Sequence, residues 1–142
     1  MKYEQCGEFV IWHKVNADPG FYEDLGPFFG SRQVERELGY KMYDDPDRVW
    51  LIAKAGQEIA GVSSYEAKEG KAHLRSTYVM PEYRQKGLYK AFCDIREREV
   101  EGATEISVTA KADSVMAANW QKRGYTEHSL RGRFIVFKKV IV

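Results

Sequence analysis

Cysteine is scarce, with two residues in 142, and Cys6 and Cys93 form no metal-binding or redox spacing. Neither a disulfide frame nor a metal site is therefore expected, and Cys93 reads as a small packing residue in a reducing compartment. Long apolar runs are missing too: no stretch of 18 apolar residues occurs, and Met1-Lys2-Tyr3-Glu4-Gln5 carries no charged-then-apolar leader. The expectation is a soluble, cytoplasmic protein without a membrane partner. Surplus charge is also lacking. With 22 basic against 21 acidic side chains the net charge is +1, too little for the long-range field that nonspecific nucleic-acid binding uses, so nucleic acid is not an expected partner.

What is present is enough chain for one domain. A sequence of this length buries roughly 68–70% of its unfolded surface and needs no disulfide or metal to fold. Residues 1–142 contain no repeat, no low-complexity segment and no linker. Phe9-Val10-Ile11-Trp12 predicts an opening strand, ended by the turn residues Ala17-Asp18-Pro19-Gly20. Two helical pieces follow, one near Gly20 to Phe29 and one after Ser31, broken by Asp44-Asp45-Pro46-Asp47. Val49 to Ala53 and Glu58 to Tyr65 form a hairpin, and Ala72 to Met80 is a further strand. Leu88, Ala91, Phe92, Ile95 and Val100 then mark one face of a helix, with Lys90, Asp94 and Arg96 to Glu99 on its wet side. Glu105 to Thr109 is a strand, Asp113 or Ser114 caps a helix ending at Gly124, and Phe134 to Phe137 closes the chain. These elements predict an α+β domain whose mixed, mainly antiparallel central sheet of six to seven strands is flanked by about four helices.

The richest segment is Tyr78-Val79-Met80-Pro81-Glu82-Tyr83-Arg84-Gln85-Lys86-Gly87-Leu88-Tyr89, where an apolar strand stops at a proline and an Arg-x-x-Gly turn opens a helix. The first amides of a helix lack internal partners and lie at the positive end of its dipole, so backbone N–H groups around Gln85 to Tyr89 can cradle an anion. Taken alone, the pattern also reads as ordinary strand-to-helix punctuation. Downstream, Ala112-Asp113-Ser114-Val115-Met116-Ala117-Ala118-Asn119-Trp120-Gln121-Lys122-Arg123-Gly124-Tyr125 forms a second motif at a matching separation.

Together these segments resemble the GNAT superfamily of acyl-CoA-dependent N-acyltransferases over essentially the whole chain. The first resembles the family's pyrophosphate loop, and the second resembles its Asn…Tyr-x-Lys-x-Gly-Phe segment. The resemblance implies the GNAT fold and acetyl-CoA as cosubstrate. It implies that the loop Arg84, Gln85, Lys86, Gly87, Leu88, Tyr89 and Lys90 binds pyrophosphate, and that the backbone of Thr77, Tyr78 and Val79 pairs with the pantetheine arm. Asp113 stands where the family has a capping Asn, Tyr89 where it has Gly or Ala, and Trp120 where a Tyr often protonates the leaving thiolate.

Acyl transfer to an amine needs a neutral nucleophile, whereas an alkyl ammonium has a pKa near ~10.4. His73 is the candidate base, because it lies six residues before Val79 on the strand where family members often carry a His or Glu. Strand alternation places His73, Arg75, Thr77 and Val79 on one face. His73 also reads as a partly exposed strand histidine bonded to a neighbour; Glu66 and Glu58 are second choices, and Tyr78 and Tyr89 are the nearby phenols. Seven acidic residues against three basic ones between Gly20 and Asp47 suit a cationic amine or simply a solvated helix face. The expected function is transfer of an acetyl or similar short acyl group to a primary amine of a small molecule or peptide. The alternatives are an acyl-CoA-binding or sensing module that has lost catalysis, and an acyltransferase acting on charged transfer RNA, against which the weak positive charge argues. The apolar closing strand Phe134 to Val142, expected at a sheet edge, offers a ladder to a second copy, hence a homodimer.

Overall fold

A computed structural model describes residues 2–141. The strand β1 (Lys2–Cys6) pairs antiparallel with β2 (Phe9–Lys14), whose alternating Phe9, Ile11 and His13 turn inward. Helix α1 (Phe21–Phe29) buries Phe21, Leu25 and Phe28, one helical stripe, and α2 (Arg32–Leu38) is capped by the Ser31 hydroxyl accepting from the Val34 amide at 3.2 Å. Strands β3 (Val49–Ala55), β4 (Glu58–Lys68) and β5 (Lys71–Val79) form an antiparallel meander, after which a 3-10 turn (Pro81–Tyr83) leads to α3 (Leu88–Glu99). The chain then runs through β6 (Glu105–Lys111), α4 (Val115–Lys122), β7 (Thr126–Arg131) and β8 (Phe134–Val140). The eight strands lie in the order β1-β2-β3-β4-β5-β6-β8-β7, with β5 and β6 the one parallel pair among the described residues.

Apolar side chains fill both faces of this sheet. On one, Leu88, Phe92, Cys93 and Ile95 of α3 and Trp120 of α4 pack on Leu51, Tyr65, Leu74 and Val108. On the other, Phe21, Leu25, Phe28 and Val34 of α1 and α2 cover Trp50, Ile52, Val62 and Tyr78. The α+β architecture and the mainly antiparallel sheet agree with the expectation, but eight strands exceed the expected six to seven. The two additions are the edges β1 and β7. Both are largely exposed and polar, so neither carries the apolar alternation by which a half-buried strand is read.

Two further expectations change. The closing strand is not an edge, because β8 is paired with β6 on one side and β7 on the other; it therefore offers no free ladder to a second copy, and Val142 lies outside the described residues. The even alternation along β5 is interrupted as well. Thr77 pairs with Ser63 but Leu74 with Tyr65, so β5 spends three residues where β4 spends two, a bulge at Arg75 and Ser76. Leu74 consequently shares a face with Thr77, and His73 turns to the opposite one beside Glu66.

Phe92 is fully buried beneath the start of α3. Phe92→Ala is expected to cost about 3–5 kcal/mol in denaturant unfolding. Tyr22→Ala, at a side chain 61% exposed, should stay within about 0.5 kcal/mol.

Candidate active site

Parallel pairing of β5 with β6 covers only Lys71 to Leu74 against Glu105 to Val108. Beyond those rungs the strands part, and β6 goes on to pair with β8 while the β6-facing edge of β5 is left free. A cleft occupies the gap. Its inner part, about 220 Å³, lies between Arg75 and Thr77 of β5 and Val108 to Lys111 of β6, floored by Arg96 and Trp120 and closed by Tyr40 and Phe134. Its outer part, about 730 Å³, follows Thr77, Tyr78 and Val79 to Arg84, Gln85, Gly87, Leu88, Tyr89 and Lys90. Glu37, Leu38, Thr77, Tyr89 and Met116 line both parts, so the cleft is continuous.

The loop at the outer end is shaped by two left-handed residues, Gln85 at φ 63° and Gly87 at φ 81°. Helix α3 has no side-chain cap, and its first backbone bond runs from the Ala91 amide to the Gly87 carbonyl at 3.0 Å. The amides of residues 85 to 90 find no hydrogen-bond partner among the described residues. Six consecutive open N–H groups at a positive helix end fit a pyrophosphate, and the free edge of β5 fits an amide-bearing arm laid alongside. Arg84 stands at the same place: its Nε donates to the Val79 carbonyl at 2.9 Å, and its Nη2 reaches Glu37 at 3.4 Å. Tyr78 also donates to Glu37, and the Tyr78 hydroxyl is pushed up to about 12 by burial and by that carboxylate. In turn the bond from Tyr78 holds Glu37 below the ordinary carboxylate range, with Arg84 adding to the effect.

Of the residues named from the sequence, the cleft brings together Thr77, Tyr78, Val79, Arg84, Gln85, Gly87, Leu88, Tyr89 and Lys90. Lys86 turns away towards Glu8 at 3.4 Å and the Tyr83 ring. Asp113 is exposed at φ 61° outside the cleft, and it is Ser114 that caps α4, accepting from the Ala117 amide at 3.1 Å. Tyr89 packs its ring against the core, where burial raises its hydroxyl above the usual phenol range. Trp120 is buried, edge-on to Tyr125 at 5.1 Å. His73 lines neither part of the cleft. Its Nδ1 bonds the Ser107 hydroxyl, and burial, then Arg75, lowers its pKa. The second choices are engaged elsewhere: Glu58 accepts from Tyr83, and Glu66 from Arg48 at 3.0 Å and Arg75 at 3.3 Å.

Several lining residues had no place in the site from the sequence, namely Leu38 of α2, Val115 and Met116 of α4, and Arg96, while Glu37 of α2 stood among the seven acidic residues suited to a cationic amine. For Arg96 a signal existed. It lies eight residues after Leu88 and four after Phe92, squarely on the apolar stripe, although its charge assigned it to the wet face; it is 1% exposed.

Likeness to known structures agrees with this architecture. The Escherichia coli ribosomal-protein-S18-alanine N-acetyltransferase superposes with a TM-score of 0.68 at 17% identity over 94% of both chains. A Bacillus subtilis acetyltransferase in complex with CoA gives 0.64 at 15% identity, over 93% of this chain and 98% of that one. The IAA acetyltransferase of Bacillus cereus gives 0.65 at 16%, over 94% and 99%. No curated protein sequence matches significantly. The acetyltransferase (GNAT) domain profile matches residues 10–136, and the chain belongs to that family. Among the described residues no helix is long and apolar enough to cross a membrane.

Behind the cleft, burial disfavours ionisation of Glu66, but the bonds from Arg48 and Arg75 outweigh it and hold the carboxyl low. A carboxyl whose folded pKa lies below its unfolded value of 4.5 stabilises fully above that value and loses its contribution as pH falls through the folded pKa. Glu66→Gln leaves buried Arg48 short of a partner and is expected to cost about 1.5–3 kcal/mol at pH 7. Unfolding at pH 7 and at pH 3 checks this, the gap from the parent protein narrowing at the lower pH.

Proposed function

We propose that the protein is an acetyl-CoA-dependent N-acyltransferase acting on a primary amine of a small molecule or peptide. The observation that carries this reading is the run of open amides at residues 85 to 90, set at the mouth of a cleft whose wall is the free edge of β5. Thr77, Tyr78 and Val79 would hold the pantetheine arm through main chain, and Arg84 and Lys90 would add positive charge near the phosphates. When bound, acetyl-CoA supplies an activated thioester. The ammonium would first give one proton to solvent; the neutral nitrogen would then attack the thioester carbon, a C–N bond would form, the C–S bond would break, and the second proton shed by nitrogen would balance the one the departing thiolate gains. An N–H on the Thr77 to Val79 edge would polarise the carbonyl, a contact typically worth about 2.7–4 kcal/mol. Holding amine and thioester together would supply much of the rest. Two free cysteines suit a cytoplasmic setting.

Among the described residues the one carboxylate in the cleft is Glu37, and its low pKa makes it a weak base. His73 turns away from the cleft, so this reading does not route the amine's proton through it. His73→Ala is expected to leave the pH dependence of kcat/KM unchanged; disappearance of an ionisation near neutrality would give the base role to the imidazole.

A binding or sensing module is the second reading. It is favoured by the absence of histidine from the cleft among the described residues and by Trp120 in place of a phenol. Thermal unfolding with CoA or acetyl-CoA tests the shared premise: at 100 times its dissociation constant either should add about 2.7 kcal/mol of stability. Stabilisation together with acylation of an amine panel supports the enzyme, stabilisation without turnover supports the module, and no stabilisation at millimolar ligand contradicts both.

A further inference from the structure

Arg96 is buried on every side, yet no carboxylate forms an ion pair with it among the described residues. Its Nε donates to the Phe92 carbonyl at 3.3 Å. Nη1 donates to the carbonyls of Ser64 at 3.3 Å and Arg75 at 3.1 Å, the two strands' groups at the β5 bulge. Three of its five N–H bonds are thereby used. Nη2 has only Cys93 Sγ, at 3.9 Å, and burial pushes that thiol up, so it supplies no counter-charge. The Trp120 ring, 5.8 Å from the Arg96 Cζ, offers a π face but no counter-ion, a guanidinium without an anion in the interior is costly, and tying down bulge carbonyls does not require a positive charge. Arg96 also lines the inner cavity, whose remaining charged groups are mainly basic: Arg75 and Lys111 against Glu37.

We propose that the inner cavity takes a carboxylate, received by the Nη2 N–H of Arg96 that Cys93 leaves unused and delivered by one of the two reactants. The inference rests on the acyltransferase reading of the same cleft and narrows its substrate class. The carboxylate belongs either to the acceptor, a short amino acid or similar amine acid, or to the acyl group, a dicarboxylic thioester such as succinyl. Both place an anion within a few bonds of the reacting carbon. A cavity of about 220 Å³ admits such a group and excludes a long chain. A planar fork suits a carboxylate better than an ammonium would, which gives arginine a reason to occupy a helical position otherwise fit for leucine.

The test compares matched compounds on the intact protein. In one arm acetyl-CoA is the donor and amino acids are compared with their carboxamides; in the other an uncharged amine is the acceptor and succinyl-CoA is compared with acetyl-CoA. At least a tenfold preference in kcat/KM for the carboxylate member of one arm is expected, and the arm that shows it identifies the source. Thermal unfolding gives a readout independent of turnover: with saturating CoA present the amino acid shifts the transition and its carboxamide does not, and without free CoA succinyl-CoA shifts it further than acetyl-CoA, in whichever arm carries the carboxylate. Arg96→Gln should abolish the preference while CoA still stabilises the protein. Should that variant not fold, Arg96→Lys keeps the charge without the fork and should cut the preference several-fold. Stabilisation by CoA with equal treatment of carboxylate and carboxamide in both arms overturns this inference alone; loss of CoA stabilisation in the parent protein overturns the acyltransferase reading with it.

Discussion

Everything in the cleft follows from the parting of two parallel strands. β5 and β6 share rungs only as far as Leu74 and Val108, and past that point β5 must leave N–H and C=O groups unpaired on one edge. Unpaired backbone in the interior is costly, so the gap is useful only if something else completes it. The bulge at Arg75 and Ser76 starts the divergence, and Arg96 braces it through the carbonyls of Ser64 and Arg75. One buried side chain on α3 therefore ties the helix that presents open amides to the strand that presents an open edge.

That connection sets the two surfaces side by side along one cleft. The same helix supplies Leu88 and Phe92 to the core and the amides of residues 88 to 90 to the loop. Packing fixes where the positive helix end points, and left-handed Gln85 and Gly87 turn the preceding amides the same way. The opposite sheet face carries α1 and α2, whose last turn brings Glu37 and Leu38 to the rim. The cleft thus lies between a backbone edge with open amides and a helix end that contributes side chains.

Much of this was legible in the residues. The turn that leaves the amides of residues 85 to 90 open was readable because its pattern is local: a strand, a proline, a glycine and an amphipathic helix in order. The core face of α3 was readable from its period, apart from Arg96, whose charge masks its place on the apolar stripe. The edge strands were not readable, since β1 and β7 bury almost nothing. The facing of His73 was hidden for a different reason: a one-residue bulge inverts every side chain beyond it, and nothing in Arg75-Ser76-Thr77 announces that the ladder skips there. Side chains that meet by tertiary approach, such as Glu37 with Tyr78 and Arg84, lie more than forty residues apart in sequence and have no local pattern.

The most direct measurement of the central claim is amide hydrogen exchange, followed residue by residue, with and without CoA. If the parted strands and the open helix end form one coenzyme site, exchange slows at residues 77 to 79 and 85 to 90 together, while the edge strands β1 and β7 are unaffected. Binding that leaves those amides exchanging freely, or that protects a different surface, would contradict the account.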